Sequence, residues 1–271
     1  MSVFPPRELS PKPSRRKALT QVVNRGMDKA NGVRAVMCGL ARNLGEQVET
    51  ARKHFDRTTG IFDDYRIVLF ENDSEDDTLQ RLQHWADQDC RVDLLSQSLS
   101  HPINPPTRCL QRVERMAYYR NLVRSHIIDN YGDYDYVVVA DTDIRGGWPV
   151  SGVASTFGFD DWDFMGANGL YKHPNGELLY YDNWAFRPLG QEQARPPGNY
   201  KAVYINGDPP LPVNSCFGGL GVYRMDALLR CAYSGGDCEH VTFHRKMRHN
   251  GMDRLFLNPS MLVLYNDVEE Y

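Results

Sequence analysis

The chain has 271 residues, of which 41% are hydrophobic and 11% aromatic. That length suits one large α/β domain, and the apolar content excludes a disordered polypeptide. With 31 Lys and Arg against 35 Asp and Glu, the net charge is −4, which excludes a generally basic nucleic-acid binder. Cys38, Cys90, Cys109, Cys216, Cys231 and Cys238 show no paired CxxC spacing and are too sparse for a disulfide scaffold, so reduced core thiols are expected.

In chain order, residues 1–30 open with MSVFPPRELSPKPSRRKALTQVVNR, rich in Pro, Ser and basic residues, and read as a disordered or extended tail. It contains no signal-peptide core, and no run of about 18 apolar residues occurs anywhere. The expectation is a soluble, cytoplasmic protein without a transmembrane segment. VRAVMCGL at 33–40 then predicts a buried strand, and 46–55 carries helical spacing. The pattern recurs with YRIVLF at 65–70, a polar turn at 71–78 and a helix over 78–85. A long helix over 113–130 leads to the apolar strand YVVVA at 136–140. Strands without alternation, separated by helices, indicate a parallel sheet covered on both faces, so residues 31–145 read as a Rossmann-like half. Residues 145–215 hold HPNGE and RPPGNY turns and little periodicity, predicting loops with short antiparallel strands. Helices are expected at 225–233 and 239–250, and a strand near 261–265. Residues 146–271 are taken as the second half of the same domain.

Three segments carry chemistry. In VVVADTDIRGGWP, 137–149, a buried strand runs into Asp141 and Asp143. Ligands collect at the carboxyl ends of strands in open α/β sheets, and two carboxylates two residues apart repel unless a cation joins them. Oxygen ligands favour Mg²⁺ or Mn²⁺, which keep positions open for substrate phosphates. The plain alternative is a pair of solvated turn residues. The second is IVLFENDSEDDT, 67–78, where Asp73 at the strand tip is placed to meet a base or ribose, although Ser74 or Asp77 as a helix cap accounts for much of the acidity. In the third, CFGGLGVYR (216–224) is followed by GGDCEHVTFH (235–244). Gly218 and Gly219 permit close backbone approach, and Glu239, His240 and His244 supply an acid and two imidazoles one helical turn apart. Either histidine alone is more readily a satisfied structural residue.

Taken in order, GLARN, ENDS, AYYRN, DTD, GGLGVYR and the late acid with histidine resemble glycosyltransferases of the GT-A fold, over most of the chain from Val33 onward. ENDSEDDT, FGGLGVYR and CEHVTFH are most similar to the fungal capsule α-1,3-mannosyltransferases and their relatives. The resemblance implies a GT-A α/β fold, a Rossmann-like mixed sheet flanked by helices, with residues 31–145 binding nucleotide and 146–271 binding acceptor and completing a metal site. It implies an enzyme of polysaccharide biosynthesis that moves a hexose, mannose among the candidates, from a GDP- or UDP-linked nucleotide-sugar donor to a glycan hydroxyl, with Mn²⁺ or Mg²⁺ and no nucleic acid. It implies Asp143 as metal ligand, Asp141 on the ribose or in the metal shell with a part in catalysis, and His240 or His244 as the late ligand. Arg42 and Asp73 would surround the nucleotide, with Arg120 near its phosphates and Gly218 and Gly219 against the ligand. Glu239 would be the base or acceptor-binding carboxylate. Trp184 and Asp182, in YYDNWAFR, would hold a sugar. Apart from the resemblance, the Gly and Pro turns, sparse periodicity and aromatic cluster Tyr180, Tyr181 and Trp184 suit residues 169–210 to a lid that closes over donor and acceptor; the alternative is an ordered insertion whose aromatics are core.

Rival readings are a haloacid-dehalogenase-like phosphatase, which also places Asp-x-Asp after an apolar strand but prefers Thr where Arg145 stands, a glycosidase with paired carboxylates, and a non-catalytic carbohydrate-binding module.

Overall fold

The computed structural model describes residues 6–105 and 107–266. Its parallel half begins with β1 (Arg34–Ala41), β2 (Asp64–Asn72), β3 (Val92–Gln97) and β4 (Tyr136–Ala140). They lie in the order β3-β2-β1-β4, all parallel. Alternate residues serve opposite faces. Val36, Cys38, Val68, Phe70, Val137 and Val139 join one core. Ala35, Met37, Ile67, Leu69, Val138 and Ala140 join the other. This two-sided burial is why these strands show no polar alternation. Helices α2 (Gln47–Thr59) and α3 (Thr78–Gln88) cover the second face, and α4 (Leu110–Tyr131) covers the first.

Beyond β4 the pairing changes. β9 (Leu220–Arg224) is antiparallel to both β4 and β5 (Phe164–Lys172), and β10 (Leu255–Leu264) is parallel to β5. β8 (Leu211–Ser215) and β7 (Arg187–Pro188) extend the sheet, while β6 (Leu178–Tyr180) pairs with β5 off the main path. The result is a mixed sheet flanked by helices, as expected, with α5 (Val150–Phe157), α6 (Met225–Arg230) and α7 (Glu239–His249) in this half. No helix among the described residues is long and apolar enough to cross a membrane.

Two expectations require correction. Residues 13–30, read as part of a disordered or extended tail, form α1 (Pro13–Ala30); residues 1–5 lie outside the described residues. The helix contacts α5 through small residues: a Cβ on Gly26 would fall 1.8 Å from the Ala154 carbonyl oxygen. Backbone approach of this kind leaves no broad apolar stripe to read, and only Gly26 and Ala30 of α1 are buried. The stretch 145–215 is likewise more regular than its turns suggest, because it holds α5 and the nine-residue β5, whose residues 164–170 are all buried. Gly166 and Gly169 lie within that strand, where added Cβ atoms would crowd Cys216 and Gly218. Glycines that read as loop punctuation are there for close packing. The strand expected near 261–265 starts at Leu255, with an irregularity between Asn258 and Leu262 that absorbs Pro259.

Candidate active site

β4 is the last strand of the parallel run, and its partner β9 is antiparallel. Asp141 leaves the sheet at that change of direction, its N–H donating to the Gly219 carbonyl at 2.9 Å. Thr142 turns inward, its hydroxyl donating to the Leu40 carbonyl at 2.5 Å, and Asp143 projects outward. Tyr265, just after β10, donates its phenol to Asp143 Oδ2 at 2.9 Å and stacks on Tyr181 with ring centroids 4.3 Å apart.

Behind Asp141, Arg120 of α4 is buried. Its Nε donates to Glu239 Oε1 at 3.0 Å, and Nη2 lies 3.4 Å from Asp141 Oδ1. Glu239 is the first residue of α7, where a carboxylate suits the positive end of the helix. Burial disfavours the Arg120 charge, yet Glu239 and Asp141 together hold its pKa above the usual value. Phe217 packs under the guanidinium, 5.3 Å from ring centroid to Cζ. Arg120, expected near the donor phosphates, orients these two carboxylates from inside the protein.

Asp182 adopts a left-handed backbone, φ 62°, and accepts the N–H groups of Gly218 at 3.1 Å and Ala185 at 3.3 Å. Burial pushes its carboxyl up to about 6 despite those donors. Asp141 is pushed up to about 8, first by burial, against the pull of Arg120, and then by Asp143, Asp182 and Glu239. A quarter of its side chain, 26%, remains exposed, so this is a recess open to ligand. Arg120 pairs with Asp141 and Glu239, while Asp143 and Asp182 add negative charge beside Asp141; a divalent cation is one way to neutralise such a surplus. Among the described residues, no three His, Cys, Asp or Glu side chains converge to hold an ion unaided. Such a site fits an ion that takes one or two carboxylates and completes its shell with phosphate oxygens.

The imidazoles differ. His244 is fully buried, with Nδ1 2.8 Å from Ser215 Oγ and Nε2 3.0 Å from Tyr223 Oη. Both its nitrogens are occupied within the core, and burial lowers its pKa to about 3. His240 stacks on Phe217 at 3.8 Å, and its buried Nε2 makes no hydrogen bond, lying 3.7 Å from Glu239 Oε1. Neither stands in one ligand cluster with Asp141 and Asp143.

Other expected residues also have partners within the chain. Asp73 accepts the N–H groups of Leu99, Ser100 and His101 at 2.8, 2.9 and 3.2 Å, and Asn72 Nδ2 at 2.9 Å. Arg42 donates to the carbonyls of His101 and Pro102 at 2.8 and 3.2 Å. The two fix one loop after β3. Gly218 and Gly219 have φ of 67° and 87°, and Cβ atoms there would meet the Ala167 carbonyl oxygen at 2.4 Å and Ile144 Cδ1 at 2.9 Å. Their close approach is to β5 and to Ile144 of the DTD turn.

Two cavities flank this centre. One, of about 250 Å³, includes Asn43, Leu44, Asp143, Arg145 and Tyr265 in its lining. The other, of about 330 Å³, is lined by residues that include Tyr181, Asp182, Trp184, Arg108 and Arg112. Tyr180 is core, as the ordered-insertion alternative has it, whereas Trp184 is half-buried at the cavity. Arg187 is fully buried. It donates to the carbonyls of Trp184, Phe186 and Glu192, and to both oxygens of Asp237 at 2.9 and 3.0 Å, tying the Trp184 segment to the residue pair before α7. Sequence reasoning missed Arg187, Tyr265 and the Arg108–Arg112 pair. An arginine in YYDNWAFR was the only visible cue.

The chain's fold is similar to solved structures of nucleotide-sugar glycosyltransferases. The mannosyltransferase PcManGT from Pyrobaculum calidifontis, in complex with GDP-Man and Mn²⁺, matches with TM-score 0.55 at 12% identity over 95% of this chain and 67% of its own. S. aureus TarS residues 1–349, with UDP-GlcNAc, match with TM-score 0.53 at 12% identity over 87% and 60%. GalNAc-T7, with UDP, GalNAc and Mn²⁺, matches with TM-score 0.54 at 12% identity over 100% and 56%. The chain has the GT-A fold. It spans about three-fifths of the length of the latter two structures. No protein-family model matches the chain, and no curated protein matches its sequence significantly.

Proposed function

We propose that the chain is a metal-dependent glycosyltransferase that moves a hexose from a nucleoside-diphosphate donor to a glycan hydroxyl. The observation that carries this reading is Asp141, paired with Glu239 through the buried Arg120 and raised in pKa by burial and by Asp143, Asp182 and Glu239, at the strand end where the sheet changes from parallel to antiparallel. The fold of the relatives solved with Mn²⁺ and nucleotide sugars agrees with it.

In this reading Asp143 and Asp141 hold Mn²⁺ or Mg²⁺ together with the donor diphosphate, and His240, through its unengaged Nε2, is the better of the two imidazoles to join them. When bound, the ion stabilises the charge that develops on the leaving diphosphate. Tyr265 orients Asp143 by its hydrogen bond, and Arg120 holds Asp141 and Glu239 in place. The cavity beside Asp143 lies next to Asn43 and Leu44, on the nucleotide side. The cavity lined by Asp182 and Trp184 takes the acceptor: the indole stacks on a sugar face, and Asp182, with its carboxyl near 6, accepts a hydroxyl proton at neutral pH. Glu239 is the second carboxylate available as base or acceptor anchor. GDP-mannose is the first donor to try, on the likeness of CEHVTFH to the capsule mannosyltransferases, with UDP-hexoses beside it.

Incubation with Mn²⁺ and a panel of GDP- and UDP-sugars tests the proposal. Release of nucleoside diphosphate, abolished by chelation, supports it. Cleavage of phosphomonoesters without donor turnover supports the phosphatase, and sugar binding without any turnover supports the binding module. The GT-A fold weighs against both rivals.

A further inference from the structure

Arginines elsewhere in the molecule are commonly paired with carboxylates, among them Arg34, Arg66, Arg91, Arg187, Arg248 and Arg254. Others, among them Arg42, Arg124 and Arg224, donate to backbone carbonyls with no ion pair among the described residues; what sets the Trp184 cavity apart is that two such arginines face one indole and one cavity. Arg108 precedes α4 and Arg112 lies in its first turn; their guanidinium carbons stand 5.9 and 5.8 Å from the same Trp184 ring. Neither forms an ion pair with any described residue. Their contacts are to neutral oxygens: Arg108 donates to the Arg195 carbonyl at 2.8 Å and to Asn183 Oδ1, and Arg112 donates to the Pro105 carbonyl at 2.8 Å. Each guanidinium is thus held in place at one side while its charge stays unneutralised, and α4 carries no acid in its first turn to offset it. Both side chains are half-buried, and both line the cavity of about 330 Å³.

The same cavity is lined at another point by Asp182, whose carboxylate faces the N–H groups of Gly218 and Ala185. The space is therefore bipolar: a carboxylate, an indole face, and two fixed guanidinium groups. A neutral sugar would satisfy the first two and leave two partly desolvated cations unpaired, which is costly. We infer that the acceptor is an acidic glycan or glycoside, carrying a carboxylate or phosphate that Arg108 and Arg112 receive while its sugar ring lies on Trp184. Planar guanidinium groups match both oxyanions in bidentate geometry, so the arginines alone define the charge and shape of the group they take. This inference rests on the glycosyl-transfer reading for the role of the ligand as acceptor, though binding of the anion can be measured apart from it.

The test uses three probes on one ring: methyl glucoside, methyl glucuronide and glucose 6-phosphate. Calorimetric titration of the full chain, with nucleoside diphosphate and Mn²⁺ present, is expected to show at least one anionic probe binding about tenfold or more tightly than methyl glucoside. Which anion wins separates uronate from phosphate recognition. Arg112→Gln should collapse that preference to within about threefold, and Arg112→Lys, which keeps charge without the fork, should retain part of it. Donor hydrolysis without acceptor is measured in parallel. If the donor is turned over and the anionic probes bind no better than methyl glucoside, the inference falls and the transferase reading stands. If no donor is turned over, the transferase reading falls, and the binding preference still decides whether the arginines form an oxyanion site. A raised KM for the donor in Arg112→Gln, with the probe preference intact, would mean that the arginines serve the donor diphosphate, and would also overturn the inference.

Discussion

The two halves of the sheet use acidic and basic residues in opposite ways. At the strand tips of the parallel half, the polar groups are consumed in shaping loops. Asp73 and Arg42 fix the segment 99–102, Ser74 receives the Asn43 N–H, and Thr78 receives those of Leu44 and Gly45. Around β4 and in the mixed half, charge is left over: Asp143, Asp182 and Glu239 all act on Asp141 against the one buried Arg120, and Arg108 and Arg112 beside Trp184 form no ion pair with a described residue. An acidic run such as ENDSEDDT is therefore weaker evidence of a site than a smaller set of acids whose repulsion the protein does not relieve.

The sharpest way to break this contrast is to remove a surplus carboxylate. Asp143→Ala should lower metal-dependent donor turnover by about a thousandfold while leaving the melting temperature close to that of the parent, because its carboxylate serves no packing. Retained Mn²⁺-dependent turnover in the folded variant would end the proposal that Asp143 holds the ion.

Scaffold charges should behave in the other direction, costing stability. Arg187→Ala takes the buried donor from three carbonyls and the bidentate partner from Asp237, which keeps the Cys238 N–H, and should cost about 3 kcal/mol in denaturant unfolding. Asp73→Ala should cost less, about 1–2 kcal/mol, because its hydrogen bonds lie near solvent. A larger loss from Asp73 than from Arg187 would reverse the ranking of the two halves.

The histidines sharpen the comparison within one helix. His244→Ala should cost about 2 kcal/mol or more of stability through its lost Ser215 and Tyr223 partners. His240→Ala should weaken Mn²⁺ binding in a titration with nucleoside diphosphate, by about tenfold. Equal, parental metal affinity in both variants would remove His240 from the site.

A smaller effect is expected from pH. Asp141 has its folded pKa raised, to about 8, so the folded protein binds the extra proton and its stabilising contribution is lost as pH rises from the ordinary carboxyl range through about 8. In chelator, the melting temperature should fall across that window. Mn²⁺ with nucleoside diphosphate takes the proton's place and should flatten the slope, as should Asp141→Asn. A slope that survives in Asp141→Asn would assign it to another group.

Much of the fold was legible because burial on both faces of a parallel sheet writes uninterrupted apolar runs into the chain. β1, β2 and β4 fall within a few residues of the stretches expected from VRAVMCGL, YRIVLF and YVVVA. α1 and β5 were not legible, since Gly26, Gly166 and Gly169 make their contacts through backbone approach, and glycine in a sequence signals a turn as readily as a close crossing. Of the candidate site, Asp141, Asp143 and Glu239 could be placed by the rule that ligands gather at strand ends, and by the acid that opens a helical pattern.

By itself, the sequence determined the α/β class, the order of the first four elements around the DTD turn, and the types of side chain available for chemistry, because periodicity and strand-end position are local properties. Only the tertiary structure decided which of those side chains remain unneutralised. It spent Asp73 and Arg42 on a loop and His244 on Ser215 and Tyr223. It brought Arg120 between Asp141 and Glu239, residues 21 and 119 positions away, and left Arg108 and Arg112 facing Trp184 without a counter-charge. Charge compensation depends on distance in space through Coulomb's law, and separation along the chain carries almost no information about it.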